Sequence, residues 1–192
     1  MGGVVSLHRV DPDDRRTDFT GHRIEGPFDV SVDDDGWEVS TWRLTVDKPD
    51  DDTGLQMHKP AGLDRIQLGR IKIATLRTTQ PEWIEPKLQP LFLDGGSRLD
   101  PEQGTGLTEI LFTELDPVIH GQGWGPRLVA VALADLPDTQ LVILEPKATT
   151  YSNVEDEDSQ AAVDRVWRGL GFDDLRALLG YLAAPAGQVV RT

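Results

Sequence analysis

The stretch "LDPVIHGQGWGPRLVAVAL", Leu115 to Leu133, constrains the fold more than any other part of the chain. Three alternate glycines, Gly121, Gly123 and Gly125, stand between a strand-like segment and an apolar run of helical character. Glycine inside a regular element costs roughly 0.5–1 kcal/mol relative to alanine. Three of them therefore point to a backbone conformation, or a close approach, that a side chain would forbid. Upstream, "LTEILFTEL" (Leu107–Leu115) is apolar and β-rich and reads as a buried strand. Downstream, "PRLVAVALADL" (Pro126–Leu136) reads as a helix with proline in its first turn. A strand that ends in a glycine turn opening a helix presents unpaired N–H groups at the positive end of the helix dipole, which suits an anion. The turn is not a P-loop, because no Lys-Ser/Thr pair follows the last glycine. Its glycine spacing is not that of the dinucleotide fingerprint either.

The elements around this turn set the fold class. "TQLVILEP" (Thr139–Pro146) is a continuous apolar strand of the kind covered on both faces. "SQAAVDRVWRGLGF" (Ser159–Phe172) reads as a helix capped by Ser159 and stopped by Gly171, with Val163, Val166, Trp167 and Leu170 as its apolar face. Strand, turn, helix, strand and helix make a βαβα unit with parallel strands and a ligand crevice at their carboxyl ends. Before it, Gly36–Asp47 alternates Trp37, Val39 and Thr41 with polar neighbours, and Leu63–Thr78 is a second strand with Gly69 as a bulge candidate. These two pair as a long hairpin across "DKPDDDTG". Pro81–Gly96, broken by three prolines, allows one or two short helical turns. The final stretch, residues 176–192, is expected to close the sheet as strands in preference to a helix.

At 192 residues the chain is expected to form one domain. It has no cysteine, so it offers neither disulfides nor a thiolate nucleophile. Its four histidines, His8, His22, His58 and His120, lack ligand spacing, and no metal site is expected. No basic stretch precedes an apolar core at the N-terminus and no apolar run reaches membrane length, so a cytoplasmic protein with no membrane partner is expected. The formal net charge of -14 repels nucleic acid and anionic lipid and favours an amine-bearing small molecule or basic peptide. Much of this acid sits in the loop-like runs "VDDDG", "DKPDDDTG" and "EDEDS", where it also serves simply to solvate the surface.

With these elements in place, the chain resembles the GNAT superfamily of N-acetyltransferases, as a divergent bacterial branch. The resemblance rests on the strand "TEILFTEL", the turn Asp116-Pro117 and the signature "HGQGWG" from His120 to Gly125, in the family's order and spacing. It continues through Trp167 to the close Gly169-Leu170-Gly171-Phe172, with Gln160 where the family carries an asparagine. It covers residues 105–175. What it implies is an α/β (α+β) fold: a GNAT-like mixed central sheet flanked by helices, splayed between the strand at Leu107–Leu115 and the strand that follows. Residues 1–104 would then be a variable substrate-side half, 105–175 an acetyl-CoA-binding core, and the rest the closing elements. A homodimer is a further expectation, since dimers are frequent in the superfamily.

The resemblance also implies site residues. The pyrophosphate of acetyl-CoA is expected on the turn formed by His120, Gly121, Gln122, Gly123, Trp124, Gly125 and Pro126. The pantetheine arm is expected along the backbone of Thr113, Glu114 and Leu115. Glu109 stands where the histone-acetylating branch carries a catalytic glutamate, and is the candidate base; Glu114, on the opposite strand face by simple alternation, and Glu145 are runners-up. The implied activity is N-acetyl transfer from acetyl-CoA to an amine by direct attack. Three positions depart from the family: His120 replaces glutamine or arginine, Pro126 removes an N–H, and Trp167 stands where many members carry a tyrosine acid. An indole delivers no proton at neutral pH, so Tyr151 or water would have to serve. The departures keep open a second reading, a non-catalytic module that binds acyl-CoA or a protein partner.

Overall fold

A computed structural model describes residues 4–6, 21–47, 59–60, 65–76, 86–93, 106–136, 138–146, 157–175 and 180–189. Among them the strands are β1 (Val4–Ser6), β2 (Arg23–Val32), β3 (Trp37–Asp47), β4 (Lys59–Pro60) and β5 (Arg65–Leu76), followed by the short helix α1 (Pro90–Leu93). Then come β6 (Leu107–Leu115), a 3-10 turn (Pro117–Ile119), α2 (Trp124–Ala134), β7 (Leu141–Leu144), α3 (Glu157–Gly169), β8 (Asp173–Asp174), β9 (Leu182–Pro185) and α4 (Ala186–Val189). The strands form a sheet ordered β1-β2-β3-β5-β6-β7-β9-β8, with β4 pairing β5 off this path. All pairs are antiparallel except β6 with β7, which are parallel on either side of the α2 crossover. This is the mixed, helix-flanked sheet that the sequence implies.

The expected hairpin of two long strands is present: β3 and β5 pair from Trp37↔Leu76 to Asp47↔Arg65. The bulged residue is Leu68, beside Gly69, since Leu44 opposes Gly69 while Thr45 opposes Gln67. Apolar side chains alternate on these strands and bury both faces. One face carries Trp42, Leu44, Ile71, Ile73, Ile110, Val142 and Leu144, closed by Leu128, Val129, Ala132 and Leu133 of α2 and Val189 of α4. The other carries Trp37, Ala74, Leu76, Leu107, Leu141 and Ile143, closed by Leu88, Leu91 and Leu175. Trp37 and Trp42 are core residues, the Trp42 indole N–H donating to Asp135 Oδ2 at 3.3 Å. Tyr151 lies outside the described residues.

Several boundaries differ from expectation. α2 starts two residues earlier than Pro126, and β7 is shorter than Thr139–Pro146, although its four residues are all buried as a two-faced strand requires. The chain end supplies one strand, β9, and then turns into α4 where a second strand was expected. Ala186 and Val189 of that helix seat in the α2-side core, a gain that a further edge strand would not have offered. On α3, Val166 is 50% exposed rather than on the apolar face, while Trp167 and Leu170 do pack on the core. The helix stops as expected: Gly171 takes φ +89°, and the Phe172 N–H reaches back to the Trp167 carbonyl at 3.1 Å. The side chains of Ser159 and Gln160 lie outside the described residues. No helix among the described residues is long and apolar enough to cross a membrane.

Candidate functional site

The splay expected from sequence is visible in the register of β6. On one side β6 pairs with β5 from Thr108 to Leu115. On the other it pairs with β7 only from Leu107↔Leu141 to Ile110↔Leu144. Beyond Ile110, residues 111–115 keep β5 as a neighbour but have no partner strand on the β7 side among the described residues. A strand edge left open in this way offers backbone N–H and C=O groups to an extended ligand.

The sheet changes character at the same place. Lys72 opposes Phe112 and Ile73 opposes Ile110, so Leu111 is an extra residue on β6, a bulge. The bulge reverses the alternation beyond it. Glu109 stands opposite Ala74 and Glu114 opposite Arg70, and Ala74 and Arg70 share one face of β5. Glu109 and Glu114 therefore share that face as well, which corrects the opposite-face placement expected from simple alternation. Glu109 is half-buried between Ala74 and Ile143 in the register. Glu114 is held by Arg70, its Oε2 accepting from Nε at 2.5 Å, and the Arg70 guanidinium lies 4.8 Å from the Phe112 ring centroid. Leu111 and Phe112 are exposed, 42% and 37%, at the mouth of the splay. Thr113 and Leu115 lie opposite Ile71 and Gly69 and so face the α2 side.

The turn after β6 is tied down residue by residue. Buried Asp116 donates its N–H to the Leu68 carbonyl at 2.7 Å, and its Oδ1 accepts from the Val118 N–H at 2.9 Å, capping the 3-10 turn. His120 directs Nε2 at the Leu115 carbonyl, 3.1 Å away. A carbonyl only accepts, so Nε2 carries the proton and Nδ1 can donate to a ligand only when the ring is charged. The Gln122 N–H goes to Ile119 at 3.4 Å and its Nε2 to Val118 at 3.1 Å, so that residue supports the turn from within.

Gly121 and Gly123 both take φ +76°, a conformation costly for residues with a Cβ, and a Cβ built on either meets nothing within 4 Å. Both conditions for anion approach are thus met: the backbone needs glycine, and open space lies over it. The first bond leading back from α2 is from the Arg127 N–H to the Gly123 carbonyl at 3.5 Å. Among the described residues, no backbone–backbone hydrogen bond of the turn uses the N–H groups of Gly121, Gly123, Trp124 or Gly125. Pro126 contributes none. Trp124 offers only its backbone, because its side chain is 4% exposed and stacks on His22. Gly125 lies closer in, where a Cβ would come within 3.3 Å of the Leu115 side chain, joining the helix start to the strand end.

Trp167 is half-buried and packs edge-on against Phe172, with 5.4 Å between ring centroids. Sequence reasoning missed two features of the site, the bulge at Leu111 and the buried His22 under α2. The bulge has no local signal, and His22 was noted only as a lone histidine.

Compared with known proteins, the chain matches no family model and no curated protein. Among solved structures it is similar to a tyrosine-to-phenylalanine mutant of the AtaT toxin bound to the C-terminus of the antitoxin AtaR and acetyl-CoA. That likeness has 16% identity and a TM-score of 0.45, and covers 79% of this chain and 70% of that one. It is also similar to a tyrosine-to-phenylalanine mutant of KacT, at 16% identity and a TM-score of 0.41, over 80% of this chain and 74% of that one. A provisionally assigned acetyltransferase of the GNAT family from Desulfovibrio desulfuricans gives 13% identity and a TM-score of 0.41, over 79% of this chain and 70% of that one.

Proposed function

We propose that this protein binds acetyl-CoA and transfers the acetyl group to an amine, as a divergent GNAT-type N-acetyltransferase. The observation that carries the reading is the coincidence of two features on one strand. β6 loses β7 after Ile110, and at the C-terminal end of its open half it runs into a turn whose two positive-φ glycines face open space. A diphosphate suits the N–H groups of Gly121, Gly123, Trp124 and Gly125, and an extended arm suits the open edge at residues 112–115.

Acetyl-CoA, as donor substrate, supplies an activated thioester carbonyl. The chain's own part is to place it, to polarise its oxygen with backbone N–H groups near the bulge, and to keep the acceptor amine neutral. Glu109, on the sheet face at the closed end of the splay, is the group proposed to take the amine proton, directly or through water. The Trp167 indole supplies no acid, so protonation of the leaving thiolate would fall to Tyr151 or to water. The acceptor, small molecule or basic peptide, is not defined by these residues.

The test is calorimetric titration of the purified protein with acetyl-CoA beside Gly123→Glu, whose carboxylate would occupy the open space over the turn. Binding on the order of micromolar, lost in the variant, is the expected result. No heat of binding with the wild-type protein would sink the proposal. The indole in place of a phenol favours a second reading, binding without turnover. Glu109→Gln separates the two: an enzyme should lose about 10²–10⁴-fold in acetyl transfer while still binding acetyl-CoA. A protein with no transfer to any amine, wild type included, would leave the binding module.

A further inference from the structure

Beyond Ala74 the sheet face opposite α2 stops being core. On β5 that face runs from Leu76 and Ala74, both buried, to Lys72 and Arg70, both half-buried. The register places Thr41 and Arg43 of β3, and Phe112 and Glu114 of β6, beside Lys72 and Arg70 respectively. Phe28 of β2 stands opposite Thr41. Two phenyl rings thus flank the cations: the Arg43 guanidinium lies 4.7 Å from the Phe28 ring centroid, and that of Arg70 lies 4.8 Å from that of Phe112.

Like charges directly opposite each other destabilise a sheet. Arg43 and Arg70 are such a pair, and Lys72 is diagonal to Arg43. The carboxylates that balance them stand on the flanking strands. Asp29 lies 2.9 Å from Arg43 and Glu25 stands opposite it, both on β2, while Glu114 on β6 holds Arg70. Among the described residues Lys72 has no ion pair. Each guanidinium has five N–H donors, and each spends one on its carboxylate. Between the flanking strands, β3 and β5 therefore present a floor of cationic donors, which suits a group that only accepts, a carboxylate or a phosphate.

The floor leads to the proposed base. Glu109 stands opposite Ala74, at the border between core and cations, one diagonal step from Lys72 and roughly 7–8 Å from it between Cα atoms. On the core side this face is closed by Leu88, Leu91 and Leu175. An acceptor whose amine reaches Glu109 has the cationic floor, not the closed core, for the rest of its length. We infer that Arg43, Lys72 and Arg70 select the acceptor, a small amine that also carries a carboxylate or phosphate, over a polyamine or basic peptide. The inference deepens the acetyl-transfer reading above and rests on it. It runs against the net charge of -14, because salt screens that field within about 10 Å while the floor acts in contact.

The test is calorimetry at low salt on protein first saturated with coenzyme A, so that the glycine turn is filled before an anionic probe is added. The probes 4-aminobutanoate, 3-aminopropyl phosphate and 1,4-diaminobutane are similar in length and differ in charge. At least one anionic probe should bind about tenfold more tightly than the diamine, and the tighter of the two tells carboxylate from phosphate. Lys72→Met keeps the stem and should cost that probe about tenfold while leaving coenzyme A affinity unchanged; Lys72→Arg should restore binding to within about twofold. The inference is overturned, with the acyl-CoA reading standing, if the diamine binds as tightly as both anionic probes or if neither anionic probe binds up to about 10 mM. Unchanged probe affinity in Lys72→Met would overturn it too, as would an equal loss for coenzyme A, which would show a general structural role. A wild-type protein that does not bind coenzyme A would instead overturn the acyl-CoA reading itself, and the inference with it.

Discussion

His22 is 3% exposed, lies flat on Trp124 with 4.3 Å between ring centroids and 12° between planes, and has no hydrogen-bond partner for either ring nitrogen. Burial pushes its pKa below 6.5, and Arg127 and Arg65 push the same way, while Asp47 opposes them. The ring is therefore held neutral at the first residue of α2. The folded pKa lies below the unfolded one, so in the window below 6.5 the unfolded chain binds more protons. Stability from this residue is complete above pH 6.5 and falls as the pH drops towards the lowered value. The slope is bounded at about 1.4 kcal/mol per pH unit. Melting temperatures of the wild type and His22→Phe, taken from pH 7.5 downwards, should diverge below pH 6.5, with the wild type losing more because phenylalanine keeps the stack and cannot protonate. Parallel curves would show that His22 does not titrate against folding. At the same scale, the glycines of the turn were legible in the sequence because positive φ is a local demand. The roles of Trp124 and His120 were not: only packing shows the Trp124 ring turned into the core and His120 bonded to Leu115.

Among the elements, β6 decides the most. Its strand character was readable from "LTEILFTEL", and so was its pairing with a following parallel strand across a helix. The bulge at Leu111 was not, because a bulge is a mismatch between two strands and has no signature in one of them. That single extra residue brings Glu114 to the face of Glu109, a change that a period of two cannot anticipate. Open and closed parts of β6 should differ in exchange. Amides of residues 107–110, with strands on both sides, should exchange slowly in the free protein. The outward-directed amides among residues 111–115 should exchange faster and become protected on adding acetyl-CoA, as read by hydrogen–deuterium exchange. Equal protection along the whole strand in the free protein would mean that the edge is already covered. The chain end shows the reverse difficulty: "YLAAPAGQVV" suited strand and helix alike, and burial of Ala186 and Val189 beside α2 selected a short helix after β9.

For the molecule as a whole, the net charge of -14 is a property of composition, and it says nothing of where a cation or an anion would bind. The described face beside the splay carries Arg43, Arg70 and Lys72 close to Asp29 and Glu114, a mixed surface that the total charge conceals. What the sequence by itself determined is what short-range rules determine: the long paired strands, the strand–turn–helix–strand order, and the glycine turn, each written in residue spacing, backbone sterics or the missing N–H of proline. Only the tertiary structure decided where β7 leaves β6, which carboxylates share a face, and that the indole of Trp167 packs on Phe172. These depend on pairing between residues tens of positions apart, where register and burial are settled jointly by all the partners and no single stretch of sequence holds the answer.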